Sequence, residues 1–235
     1  MTDPSGHSMT DDKCGYQGQD CKGRYDKRDL TAWVIQAAEY TANYDEIEEI
    51  ENLNKMTTES IGGVNSTNRS LTFQLFAAKK FYSLVHDGAI FDFKDKISIT
   101  LGQSILIDGD WYEFSTAGNI LFGYYGRAAG FSTQSLHAGA GVAQVIDFTK
   151  NFSGMSNGLQ DDGARLGPIS NFFDTPDDYA AVEMGAILYD QAGPLTYDVF
   201  SRVLQEYKNE MALVTDPGNF QEANVIYQAD YFLNR

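Results

Sequence analysis

Ser104-Ile105-Leu106-Ile107-Asp108-Gly109-Asp110-Trp111-Tyr112-Glu113-Phe114 carries the clearest turn chemistry in the chain. Two short runs rich in β-branched and aromatic residues flank an Asp-Gly pair. That pair is the residue chemistry a tight hairpin demands, because both central positions of the favoured turn need positive φ. Working back from it, Ala89-Ile-Phe-Asp-Phe-Lys94 and Ile97-Ser-Ile-Thr-Leu101 alternate apolar and polar residues, as half-buried strands do. These runs predict a small antiparallel sheet across 89–116.

Further out the period changes from two to that of a helix. Leu30, Val34, Ala37 and Ala38 share a face with Trp33 beside them, and Ile47 and Ile50 continue the spacing, predicting a helix over 30–54. Its Asp45-Glu46-Ile47-Glu48-Glu49 run reads as a solvated face. A Thr/Ser/Gly/Asn-rich loop covers 57–70, and Ser70 is placed to cap a helix over 71–86. Beyond the sheet, 133–146 reads as helical, with close packing expected to offset Gly139 and Gly141. Residues 147–173 read as a long loop, of a length that is often functional. Helices are expected over 176–190 and 195–213, and the tail from Val225 is a short helix or strand. No internal repeat appears. The class is α+β, a small antiparallel sheet packed among several helices. Residues 1–28 are polar and aperiodic and read as a linker or junction arm, leaving 29–235 as one domain.

Composition narrows the function. The chain has 235 residues, 43% hydrophobic and 13% aromatic, enough for a substantial core. Its 33 acidic against 17 basic residues leave a formal charge of −16. Such a surface repels phosphate backbones, and no Lys/Arg stripe offsets it, so nucleic acid is the less favoured partner. No apolar run reaches membrane-spanning length and no signal peptide opens the sequence, so the domain is expected to be cytoplasmic or carried out by something else. Cys14 and Cys21 fit a small disulfide loop or free thiols. His7, His86 and His137 are not spaced with them as a zinc motif. A nucleophile-elbow serine hydrolase, a papain-like amidase and a histidine-metal nuclease each lack their required residues.

What remains is carboxylates with Asn and Tyr. Gly118-Asn119 is followed by Gly123, Tyr124, Tyr125 and Gly126. Asn119 can orient a substrate amide or hydroxyl, and the glycines either admit a ligand to the backbone or allow tight packing on the sheet. Asp174-Thr175-Pro176-Asp177-Asp178 places Pro176 at the first helical position and Thr175 at the N-cap. Asp177 and Asp178 then complement the helix dipole, or Asp174 and Asp178 work as acid and base. Asp92, with Lys94 two residues on, reads as a surface ion pair on a strand or as a further catalytic carboxylate. The expected site is therefore Asp174, Asp178, Asp92 and Asn119 for chemistry, with Gly118, Tyr124 and Tyr125 lining the substrate. No cofactor motif is present; a divalent cation at Asp174/Asp177/Asp178 is the open alternative.

Taken as a set, these landmarks resemble the bacterial polymorphic toxin type 44 family. The resemblance spans about Leu30 to Tyr189. It is carried by Leu30-Thr-Ala-Trp33, Phe91-Asp92-Phe93-Lys94, Gly118-Asn119, Phe122-Gly123-Tyr124-x-Gly126, Gly130-Phe131-Ser132, Ala140-Gly-x-Ala-Gln144, and Asp174-x-Pro176-x-Asp178 with Glu183 and Gly185. Members commonly carry a histidine or other polar residue after Gly-Asn, where this chain has Ile120-Leu121. Asp3-Pro4-Ser5-Gly6 looks like the junction at which Rhs-repeat proteins end and a variable C-terminal toxin begins. The resemblance implies a secreted effector, delivered into a target cell from an Rhs-type carrier and neutralised by a cognate immunity protein. Such toxins include nucleases and cell-wall hydrolases. The acidic charge and the aromatics favour a glycan or peptidoglycan hydrolase using carboxylates, with an RNase or DNase, metal-dependent or not, as the alternative. A non-enzymatic pore-forming module would need a long amphipathic or apolar hairpin, which is absent.

Overall fold

The structure, a computed structural model, describes residues 29–58, 66–86, 88–140 and 175–214. The junction arm with Cys14 and Cys21, the loop over 147–173, Asp174 and the C-terminal tail lie outside the described residues.

The Asp-Gly hairpin forms as its chemistry requires. Strand β1 (Ser104–Ile107) pairs antiparallel with β2 (Asp110–Glu113), with Leu106 opposite Trp111 and Ile107 opposite Asp110. Asp108 and Gly109 take φ of 49° and 82°, both positive, as the turn demands. Asp29 forms a parallel bridge to Leu106, and Leu213 an antiparallel bridge to Tyr112. The hairpin is thus flanked by chain on both edges, which blunts the exposed-edge liability of so small a sheet.

The sheet is smaller than the alternation suggests, because residues 93–101 are a helix. Helix α1 (Thr31–Ala42), α2 (Asp45–Thr58) and α3 (Ser66–Val85) precede α4 (Phe93–Leu101). Asp92 caps α4: its carboxylate accepts from the backbone N–H of Asp95 at 3.5 Å and of Gly88 at 2.8 Å. Phe93, Ile97 and Leu101 lie four apart and are buried, while Ile99 is 84% exposed. On a strand Ile97, Ile99 and Leu101 would share one face; on a helix Ile99 turns away. Asp92 and Lys94 are therefore not neighbours on a strand face.

The expected helix over 30–54 is two helices. Asn43 ends α1, and the acidic residues Asp45, Glu46 and Glu48 form the first turn of α2, where they complement its dipole. The acidic run is thus a helix start as well as a solvated surface. Helix α3 begins at Ser66, four residues before the expected cap.

Helix α5 (Phe114–Ala128) is the centre of the molecule, against which α1, α2, α4 and α7 (Pro176–Asp190) pack. The glycine-rich segment is therefore helical, and its glycines face a helix rather than the sheet. A Cβ on Gly123 would collide with the main-chain carbonyl of Val182, and one on Gly185 with that of Ile120. Two bare surfaces let α5 and α7 approach backbone to backbone. The pairs Asn119–Asp178, Gly123–Val182 and Arg127–Asp190 advance together along both helices, so the two run in the same direction. Arg127 closes the far end, donating from Nη2 to Asp190 Oδ1 at 2.8 Å and from Nε to Oδ2 at 3.2 Å.

Helix α6, described over 133–140, turns back along this pair, with Leu136 against Gly126. Gly139 on it has no atom of the described residues within 4 Å of an added Cβ, so no packing among them explains that glycine. Helix α8 (Tyr197–Tyr207) fastens the sheet to α7. Asp108 in the hairpin turn accepts from the Tyr197 hydroxyl at 2.7 Å and the Ser201 hydroxyl at 2.6 Å. Its N–H donates to Thr31 Oγ1 at 2.7 Å, and Gly109 N–H to Asp29 Oδ2 at 3.1 Å. One turn thereby ties together the starts of α1 and α8.

Candidate functional site

Asn119 lies in the second turn of α5 and Asp178 in the first turn of α7. Because the helices run together, both fall at the same end of the pair. The Asn119 amide Nδ2–H donates to Asp178 Oδ1 across the interface. Asn119 is 5% exposed, so its donor would be costly to leave unpaired, by about 1–3 kcal/mol. Asp178 is half-buried, and its Oδ2 takes no hydrogen bond among the described residues. Among the described residues, one carboxylate oxygen is thus held by Asn119 and the other has no hydrogen-bond partner.

The local sequence explains the placement. Thr175 takes the extended N-cap conformation with φ −70° and ψ 151°, and Pro176 occupies the first turn. Asp177 and Asp178 follow in that turn, as expected from the spacing. Asp178 thus lies where a carboxylate complements the helix dipole, within reach of Asn119. Asp174 directly precedes this N-cap.

The other expected residues are placed elsewhere. Asp92 spends Oδ1 on the start of α4 and Oδ2 on the Gly88 N–H before it. The Gly118 Cα faces α4, where a Cβ would sit 2.6 Å from Lys94 Cγ. Tyr125 is buried among Phe81, Phe91 and Phe122, and its hydroxyl donates to the Phe91 carbonyl at 3.4 Å. Tyr124, five residues past Asn119, lies about 140° around the helix. It meets Tyr189 edge-on at 5.3 Å, and burial pushes its phenol up to about 12. The structure therefore joins Asn119 to Asp178 and leaves Gly118, Tyr124 and Tyr125 as packing positions around them.

Two further groups, on α6 and α7, were not among the expected site residues. His137 of α6 stacks face to face on Tyr179, the residue after Asp178, with ring centroids 3.6 Å apart and planes 8° from parallel. It is 2% exposed, and neither ring nitrogen has a hydrogen-bond partner among the described residues. Burial pulls its pKa down to about 4, because the charged ring would lose its hydration. One helical turn beyond Tyr179, Glu183 is raised above the usual carboxylate range, first by burial and then by Glu210. A signal for His137 exists in the sequence: with Leu136 and Ala140 it shares the inward face of the helix, where an imidazole has no water. Glu183 carried no signal beyond its place in the landmark set.

Among the described residues no three His, Cys, Asp or Glu side chains converge as a metal site. The same residues contain no helix long and apolar enough to cross a membrane. The first turn of α7 carries two acids and no base, and the basic residue of α5, Arg127, lies at the opposite end.

No curated protein and no solved structure matches the chain. Residues 80–191, a little under half of it, match the family described as bacterial toxin 44, an interval that runs from α3 through the end of α7 and contains the whole Asn119–Asp178 interface.

Proposed function

We propose that this chain is the toxin portion of a secreted bacterial effector, and that it hydrolyses a glycan, with peptidoglycan as the substrate class, through the carboxylate of Asp178. The observation that carries this reading is the half-anchored Asp178 carboxylate, held by a buried amide in the interval similar to bacterial toxin 44. Glycosidic hydrolysis needs one carboxyl group to protonate the leaving oxygen and a second to activate water or attack the sugar carbon. Asp178 supplies one. Asp174, four residues earlier and beside the same N-cap, is the candidate for the other. Asn119 fixes the orientation of Asp178, and Tyr124 supports the helix behind it.

Charge supports a neutral or cationic substrate over a polyanion. The pair lies at an acidic helix start in a chain of formal charge −16, whereas a phosphate backbone needs basic contacts. The toxin reading brings with it a carrier of the Rhs type, delivery into a target cell and a cognate immunity protein. A divalent cation at Asp174, Asp177 and Asp178 belongs to the nuclease alternative.

Compartment-directed expression tests the proposal. The chain is produced in bacteria with and without a periplasmic export signal. Killing from the periplasm, lost in Asp178→Asn by roughly 100-fold or more as for an acid–base group, is the expected result. Killing from the cytoplasm alone sides with the nuclease alternative. Growth unaffected in both compartments removes the toxin reading.

A further inference from the structure

We propose that His137 is a substrate-contacting residue of the same site, its neutral imidazole hydrogen-bonding a hydroxyl or acetamido group of the glycan. The inference rests on the toxin reading above and deepens it.

The geometry begins with the ring itself. His137 lies flat on Tyr179 at 3.6 Å, and Tyr179 is one residue from Asp178, so α6 brings an imidazole to the end of α7 that carries the carboxylate. Packing alone does not account for a histidine there. A phenyl ring would stack on Tyr179 equally well and would bury no polar atom. Instead two nitrogens are buried with no partner among the described residues, while nearly all buried polar groups in folded proteins are paired. A ligand group that hydrogen-bonds the ring would complete them.

The chemistry of the ring selects the ligand. A neutral imidazole offers one N–H donor and one lone-pair acceptor. A sugar hydroxyl presents both complements, and an acetamido group presents a carbonyl and an N–H. Burial keeps the ring neutral, with its pKa about 4, so it does not recruit a phosphate as a cation would. The Tyr179–His137 stack, at the same end of α7 as Asp178, therefore matches an uncharged, hydrogen-bonding substrate.

Access follows from α6. Gly139, two residues past His137, is exposed, lowers helix stability and meets no described residue that would require a glycine. A helix weakened at that point yields more readily when a substrate group enters beside the ring.

The test uses the full chain carrying His137→Phe or His137→Gln, exported to the periplasm beside wild type, with melting temperatures measured on the purified proteins. The expected result is that His137→Phe melts at or above wild type yet kills roughly 10–100-fold less, the loss that follows removal of a substrate hydrogen-bonding group. His137→Gln, which keeps a donor and an acceptor, is expected to retain part of the activity. A folded His137→Phe that kills like wild type overturns the proposal. If that variant does not fold, His137→Gln decides: folded and fully active, it overturns the proposal; folded and impaired, it supports it. Loss of folding in both variants makes the ring structural and also overturns it. Failure of wild type to kill from the periplasm removes the glycan reading, a result distinguishable from any behaviour of the His137 variants.

Discussion

Replacing Gly185 by alanine should separate α5 from α7. The added Cβ would meet main chain, not a movable side chain: it collides with the Ile120 carbonyl oxygen and lies 2.9 Å from both the Ile120 carbonyl carbon and the Tyr124 nitrogen. Ordinary contact needs about 3.5–4.0 Å, so the Ile120 oxygen and the added carbon must part by roughly 1.5 Å or more. Overpacking against main chain, which no rotamer relieves, lies at the upper end of the usual range, about 3 kcal/mol. Alanine's better helix propensity returns about 1 kcal/mol. The net expectation is a destabilisation of about 2 kcal/mol. At roughly 2–4 °C per kcal/mol for a domain of this size, the melting temperature should fall by about 4–8 °C. Thermal denaturation followed by circular dichroism measures it, and Gly139→Ala is the internal control. That position has open space, so the same substitution should stabilise by about 0.5–1 kcal/mol. A Gly185→Ala protein as stable as wild type would refute the backbone contact between α5 and α7, and with it the reason Asn119 reaches Asp178.

Asn119→Leu should destabilise by about 1–3 kcal/mol, since it inserts a carbon side chain where a buried donor meets a carboxylate; urea denaturation reads the change, and an unaltered midpoint contradicts the assigned bond. Ser201→Ala removes one hydrogen bond to the Asp108 carboxylate and should cost about 1.5–3 kcal/mol, with Tyr197→Phe costing a similar amount; full stability in the double variant would mean the turn does not fasten α8. The pKa of His137 is lowered in the fold, so its contribution to stability is present above the unfolded value near 6.5 and is lost as pH falls through about 4. Wild type should therefore lose more stability between pH 7 and pH 4 than His137→Phe does, and identical pH profiles would contradict the burial of a neutral imidazole.

Legibility in the sequence followed the strength of local chemistry. Pro176 after Thr175 marks the start of α7, and Asp108-Gly109 marks the hairpin, because each residue type is tied to one backbone geometry. Residues 93–101 misled because Phe93, Ile97 and Leu101 satisfy the helical repeat while Ile97, Ile99 and Leu101 also satisfy alternation; the cap at Asp92 decides between them. Helix α5 was hidden by Gly118, Gly123 and Gly126. Low intrinsic propensity is overridden there by contacts with Lys94, Val182 and Leu136, which lie distant in sequence. Asn119 and Asp178 were both named, but their meeting depends on α5 and α7 running in the same direction, which no local pattern encodes. His137 carries no motif at all. Its significance arises from the face of Tyr179, 42 positions away along the chain.

Glycan hydrolysis through Asp178 is measured most directly on purified peptidoglycan sacculi incubated with wild type and with Asp178→Asn. Wild type should release soluble sugar fragments with new reducing ends, and Asp178→Asn should release roughly 100-fold fewer or less while retaining the wild-type melting temperature. Intact sacculi alongside degraded RNA or DNA in a parallel incubation would contradict the account, as would undiminished release by a folded Asp178→Asn protein.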